Sequence, residues 1–341
     1  MNIQFINATE WQEFSWFSSG GTRAKKLLQS PDGKLFFFKC SERKPAQTGK
    51  QAKYYKYEFW NEIIVYHIGR SLGLEVLEYS PAAYENEMGC LSPMMIITDE
   101  EQLIEVGRLM TSINPNFLPE SHDARKEYTF QLLTETLDHF ELNEYLPFFF
   151  RTLIFDALIG NTDRHQENWA FIGKTTPEQW INKLLNRLPQ MVKDRFYKSD
   201  RIYKLTHAQI FTTAPIYDNG SSLARELTNE RIDLLLANED ELKQYLTKGR
   251  SELHWSWKKL THYALINELL ASSYMEPVRD ASGFLKAWSG EMVEEILNKV
   301  DANVPNKWHA FRIPQNRKKL ILKILNLRLN ILNQLIDNGI R

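Results

Sequence analysis

Between two apolar runs, Leu153 to Leu158 and Trp169 to Ile172, the chain reads Ile-Gly-Asn-Thr-Asp-Arg-His-Gln-Glu-Asn over residues 159–168. Polar residues held in a short loop by apolar flanks are typical of a site carried on a scaffold. Asp163 offers a carboxylate that can orient a hydroxyl. Asn168, five residues on, offers a carboxamide that can bind a metal, and the pair suits phosphoryl transfer. A second cluster, Ala214-Pro215-Ile216-Tyr217-Asp218-Asn219-Gly220-Ser221-Ser222-Leu223, delivers Asp218 to a glycine-containing turn. An aspartate so placed is suited to Mg²⁺, which takes one or two carboxylates together with phosphate oxygens. Taken alone, Asp-Asn-Gly is more often a plain turn.

A third cluster runs from Ser18 and Ser19 through Gly20 and Gly21 to Leu28, then Pro31-Asp32-Gly33, then Leu35-Phe36-Phe37-Phe38 ending in Lys39. Two short strands around a Pro-Asp-Gly turn predict a hairpin. The glycine pair lets backbone N–H groups approach phosphates, and Lys39 can reach the same phosphates. By themselves these residues more often describe an ordinary solvated hairpin with a surface lysine.

The elements that position these clusters follow from periodicity. Residues 41–56 lack an apolar repeat and read as a mobile connection. Phe59, Ile63, Tyr66, Ile68 and Leu72, stopped by Gly73, predict an amphipathic helix. Glu58 and Glu62 lie one turn apart on it; either can pair with Lys39, although Glu58 reads more readily as a solvated glutamate and Glu62 is balanced between the two. Residues 76–83 and 89–97 read as strands around a polar turn at Glu85-Asn86-Glu87. Beyond Thr98 only helices are expected: 100–110, 123–140, a buried 143–159, a polar insertion over 177–203, then 230–245, 260–270, 283–300 and 317–336. The last carries Leu320, Ile324, Leu327, Ile331 and Leu335 toward a core. Trp255 and Trp257 are expected to be packing aromatics.

Composition narrows the class of protein. With 341 residues, 43% hydrophobic and 25% charged, the chain is long enough for two lobes and has an ordinary globular balance. A formal net charge of -1 gives no basic footprint for direct nucleic-acid binding. Two cysteines, Cys40 and Cys90, exclude a disulfide framework or a four-cysteine zinc site and favour a reducing compartment. The first residues show no basic stretch leading into an apolar one, and the most apolar window, 146–159, is too short to span a bilayer and is interrupted by Arg151 and Asp156. No secretion signal and no membrane partner are expected.

Glycine hairpin, strand lysine, helix glutamate, Asp-x-x-x-x-Asn and a metal-type aspartate before a glycine turn is the order of parts in a protein kinase. The chain resembles the HipA-like serine/threonine kinases of bacteria, specifically their shorter members. Leu158 to His165 with Asn168 is similar to the catalytic loop of that family, Ala214 to Leu223 to its metal motif, and, more loosely, Ser19-Gly20-Gly21 through Leu28 to its phosphate loop. The resemblance spans roughly residues 15–300. It implies an α+β, two-lobed, kinase-like fold, with a small β-rich lobe over 1–98 and a large all-helical lobe over 99–341, residues 94–97 leading to the adenine hinge. It also implies ATP and Mg²⁺ as cofactors. Asp163 would be the catalytic base or hydroxyl-orienting group, Asn168 and Asp218 the Mg²⁺ ligands, and Lys39 the contact to the α- and β-phosphates. Ser19, or its neighbour Ser18, would be autophosphorylated, placing about two negative charges where ATP phosphates sit. His165 is expected to be a positioning residue bonded to backbone.

Longer members carry an extra subdomain ahead of the phosphate loop that is not seen before Ser18 here; in some short members a separate small protein supplies it. The implied role is a cytoplasmic toxin of a toxin–antitoxin system, with a small antitoxin partner and an aminoacyl-tRNA synthetase as protein substrate. An effector kinase delivered to a host cell by a route other than Sec uses the same parts. A non-catalytic nucleotide-binding module is opposed by the retention of Lys39, Asp163, Asn168 and Asp218.

Overall fold

The computed structural model describes residues 3–14, 25–44, 52–98, 101–118, 126–175 and 209–338. The expected hairpin is present as β3 (Lys25–Gln29) and β4 (Leu35–Cys40), paired Leu27 to Phe37. Its turn closes through Gly33 at φ 86°, a conformation that glycine adopts without steric penalty. These strands belong to a six-stranded sheet with β1 (Ile6–Asn7), β2 (Gln12–Glu13), β7 (Ser80–Tyr84) and β8 (Glu87–Pro93), in the order β1-β7-β8-β4-β3-β2. β1 runs parallel to β7, and the other pairs are antiparallel.

Side chains alternate across a strand. Phe38 therefore joins Leu28, Ala82, Tyr84 and Leu91 on one face, and Lys39 emerges on the other, opposite Cys90. That second face is covered by α1 (Glu58–Ser71). At the described ends of the connection 41–56, Arg43–Lys44 (β5) pairs with Lys53–Tyr54 (β6), and the Arg43 guanidinium lies 4.9 Å from the centre of the Tyr54 ring. The first of the two later strands begins at Ser80, not Val76, because Val76 bridges to Ile216 instead.

The two-lobed α+β fold is borne out, and the second lobe adds a small sheet to the expected helices. Residues 101–105 form strand β9 (Glu101–Glu105), and the helix expected over 100–110 starts only at α2 (Val106–Ile113). β9 pairs with β10 (Ala170–Thr175), which pairs with β11 (Gln209–Thr213). A partner distant in sequence here overrides the local helical pattern. α3 (Phe130–His139) starts at Thr129, whose hydroxyl accepts from the Leu132 amide at 3.1 Å.

α4 (Leu146–Ile159) is the axis of this lobe, buried from Phe149 to Ile159 save Arg151. α7 (His262–Leu270), α8 (Met275–Ala281) and α10 (Gln315–Asn338) pack around it. The segment 230–245 is two helices, α5 (Asn229–Ala237) and α6 (Glu239–Leu246), because the Asn238 side chain caps the second, accepting from Asp240 and Glu241 amides at 3.1 Å each. Residues 282–287 form a 3-10 turn ahead of α9 (Gly290–Lys299), which is capped by Ser289.

Trp255 stacks on Phe130, as a packing aromatic should, whereas Trp257 is 66% exposed. α1 is walled on both sides: it lies between the sheet and α9, its Trp60 indole donates to the Phe311 carbonyl at 2.7 Å, and Phe59, Ile63, Ile64 and Val65 are all buried. The expected insertion 177–203 lies outside the described residues. Among the described residues, no helix is long and apolar enough to cross a membrane.

Candidate active site

Lys39 reaches from β4 to two carboxylates, Glu62 of α1 and Asp218, the latter at 2.5 Å. The second carboxylate oxygen of Glu62 accepts from the Asn219 amide at 2.7 Å. Glu58, expected at the surface, is buried: it accepts from Arg225 at 2.5 Å and from the Glu42 amide at 2.7 Å. Positions 58, 61 and 62 are i, i+3 and i+4 and share one face of the helix. Asn61 completes that stripe, donating to the Gly220 carbonyl at 3.1 Å and the Ser222 carbonyl at 2.7 Å. One polar face of α1 therefore grips segment 218–225 along its length.

The loop after α4 is built by its own spacing. Gly160, at φ 71°, turns the chain out of the helix, its amide donating to the Asp156 carbonyl at 2.7 Å. The Arg328 guanidinium of α10 donates to the Ile159 carbonyl at 2.9 Å and occupies the space beside Gly160, where a Cβ would lie 2.3 Å from it. The Asp163 amide donates to Asn161 Oδ1 at 3.2 Å. Its carbonyl accepts from the His165 amide at 2.9 Å and from Asn168 Nδ2 at 2.7 Å, so the five-residue spacing closes the loop on itself. His165 Nδ1 accepts from the Glu167 amide at 3.3 Å, the backbone engagement expected of it. Behind the loop, burial pushes the His262 imidazole down to about 3, with the charge of Arg328 acting in the same direction and a backbone contact at Asn161 opposing.

The two halves of the site meet at Arg164, which residue spacing had not singled out. Its fork grips Asp156 of α4, Nε to Oδ2 at 3.0 Å and Nη2 to Oδ1 at 2.9 Å. The same guanidinium donates to Asn219 Oδ1 at 2.6 Å, the Tyr217 carbonyl at 2.5 Å and the Asn168 carbonyl at 3.3 Å. Burial by itself would lower the Arg164 pKa, but Asp156 overrides it and the group is held above its ordinary value. A signal was present in the chain: Asp156 interrupts the most apolar helix, and a buried charge requires a partner.

Asp218 sits at φ 55°, its amide 3.5 Å from the Tyr79 hydroxyl. The strand-like segment before it is stitched to the small lobe, Ile216 donating to the Glu75 carbonyl at 2.8 Å and accepting from the Leu77 amide at 2.9 Å. Asn168 uses its NH₂ end on Asp163, which leaves the carboxamide oxygen as the end a cation would meet. One carboxylate and one carboxamide oxygen are a donor set that fits Mg²⁺, a cation that keeps several water or phosphate ligands. Ser18, Ser19, Gly20 and Gly21 lie outside the described residues.

No protein-family model matches the chain. Over 226 residues it is 25% identical to the serine/threonine-protein kinase CtkA of Helicobacter pylori, a stretch covering 65% of this chain and 57% of that relative, less than two thirds of its length. The crystal structure of the H. pylori proinflammatory kinase CtkA superposes with a TM-score of 0.72 and 19% identity, covering 99% of this chain and 98% of the other. A chain of the Shewanella oneidensis MR-1 toxin–antitoxin complex of HipA, HipB and operator DNA aligns at a TM-score of 0.48 and 11% identity, over 96% of this chain and 68% of that one. The chain is thus similar to CtkA in sequence over part of its length, and it shares the fold of that kinase over nearly all of it.

Proposed function

We propose that the protein is an ATP- and Mg²⁺-dependent protein serine/threonine kinase. The observation that carries this reading is the placement of Lys39 between Glu62 and Asp218, with Asp163 held across the same site by the segment that bears Asp218. Lys39, steadied by Glu62, binds the α- and β-phosphates. Asp218 and Asn168 would hold Mg²⁺, which would neutralise charge on the phosphate oxygens. Asp163 orients a serine or threonine hydroxyl and accepts its proton while that oxygen bonds to the γ-phosphorus and the bond to the departing ADP oxygen breaks. By the family resemblance, Gly20 and Gly21 would cover the phosphates, residues 94–97 would form the hinge at a lobe boundary near 98 and 99, and phosphate on Ser19 or Ser18 would silence the site by occupying phosphate space.

Two biological settings use this chemistry. The family resemblance favours a cytoplasmic toxin acting on a translation component such as an aminoacyl-tRNA synthetase and held in check by a small antitoxin. The description of CtkA as proinflammatory favours a kinase acting on host proteins after export by a route other than Sec. Incubation with Mg²⁺ and radiolabelled ATP, beside Asp163→Ala, tests the enzyme: label on the protein or on a lysate target that vanishes in the variant supports it, and no label on either overturns it. Expression in bacteria separates the settings, because growth arrest that depends on Asp163 is the mark of the toxin.

A further inference from the structure

The Asp163 carboxylate receives a hydrogen bond from the Ser221 hydroxyl, Oγ to Oδ2 at 3.1 Å. Ser221 lies three residues beyond Asp218, so this bond crosses from the metal-type segment to the catalytic loop. A second bond joins the same two strips of chain, the Thr162 amide donating to the Ser221 carbonyl at 3.4 Å. Ser221 is buried and has little room to drift, because Asn61 of α1 holds the carbonyls on either side of it, at Gly220 and Ser222. Its neighbour Ser222 faces elsewhere, donating to the Asn219 carbonyl at 2.6 Å within its own turn. Of the two adjacent serines, then, one closes a turn and the other addresses the carboxylate to which proton transfer is assigned.

The terminal torsion of an aspartate is broad. A carboxylate that must meet a substrate hydroxyl within hydrogen-bond reach gains from a fixed donor on one oxygen. We infer that Ser221 is a positioning residue for phosphoryl transfer: its hydroxyl fixes the orientation of the Asp163 carboxylate and ties that orientation to the segment carrying Asp218. The inference rests on the kinase reading. It assigns Ser221 no proton and no phosphate; the substrate proton still goes to Asp163.

The test uses the purified full chain, radiolabelled ATP, casein as acceptor, and a non-hydrolysable ATP analogue with Mg²⁺ for affinity. Ser221→Ala is expected to lower kcat about ten- to a hundredfold, the effect of losing one hydrogen bond to a charged group, with KM for ATP and analogue affinity unchanged. Ser221→Cys, close in volume and a weak donor, gives the same fall if the alanine variant folds poorly. Ser221→Thr keeps the hydroxyl and restores most of the rate. An undiminished kcat in both the alanine and cysteine variants, or a loss of analogue affinity as large as the loss of kcat, overturns the assignment while leaving the kinase reading intact. A wild-type protein that labels neither itself, casein nor any lysate protein overturns both.

Discussion

Arg164 and Asp156 form a two-pronged ion pair beneath the loop 160–168, both side chains almost fully buried. The fork joins the core of the helical lobe to the loop, and its remaining donors reach Asn219 and the Tyr217 carbonyl beside Asp218. Loss of one member leaves an uncompensated charge in the interior. Arg164→Met is expected to destabilise the fold by about 3–5 kcal/mol, read as a lower midpoint in urea. Arg164→Lys keeps the charge but not the planar fork, so it should retain more stability than Arg164→Met while losing phosphoryl transfer. A lysine variant with wild-type rate would show that the fork does not set the site.

Asp218 and Asp163 should separate in binding. Asp218→Ala is expected to abolish the Mg²⁺-dependent part of ATP affinity, whereas Asp163→Ala binds Mg·ATP nearly as the wild type does and fails to turn over. Titration of both variants with nucleotide, with and without EDTA, reads this directly, and equal affinities would contradict the division of roles.

Gly160 meets two demands at once, a left-handed backbone and contact with the Arg328 guanidinium. Gly160→Ala should therefore cost more than the approximately 1 kcal/mol typical of a backbone change alone. Thermal unfolding measures it; a shift no larger than that of Gly73→Ala, at a left-handed glycine (φ 77°) with open space where its Cβ would be, would mean that Arg328 moves aside freely.

His262 gives the fold an acid sensitivity. Its pKa is depressed by burial from 6.5 to about 3, so the unfolded chain takes up a proton that the folded chain refuses. Stability from this residue is present above about 6.5 and is lost as pH falls toward 3. In denaturant titrations at pH 7 and pH 5, His262→Gln should show a smaller fall in stability than the wild type. An identical fall in both would assign the acid sensitivity to other groups.

The loop 159–168 and the segment around Asp218 were legible as compact clusters in sequence: the spacing of Asp163 and Asn168 is the ring that Asn168 Nδ2 closes on the Asp163 carbonyl. Glu62 and Asn61 were accessible in principle from helical periodicity, although choosing Glu62 over Glu58 for Lys39 required the sheet and helix to be set against each other. Strand β9 was not legible, since its polar Glu-Gln-Leu-Ile-Glu becomes a strand through β10, whose partner residues begin at Ala170. Arg225 and Ser221 were missed for a similar reason. Their contacts at Glu58 and Asp163 join residues 167 and 58 positions apart, and no local pattern encodes them.

The two walls around α1 decide where control can act. A helix whose flanks are shared between a sheet and a second lobe cannot tilt outward without stripping Trp60 from Phe311 and exposing apolar side chains on both sides. Moving Glu62 away from Lys39 is thus among the most expensive rearrangements open to this chain. For a switch acting on this protein, the lysine–glutamate pair is therefore a fixed anvil, and control has to come from parts other than this helix.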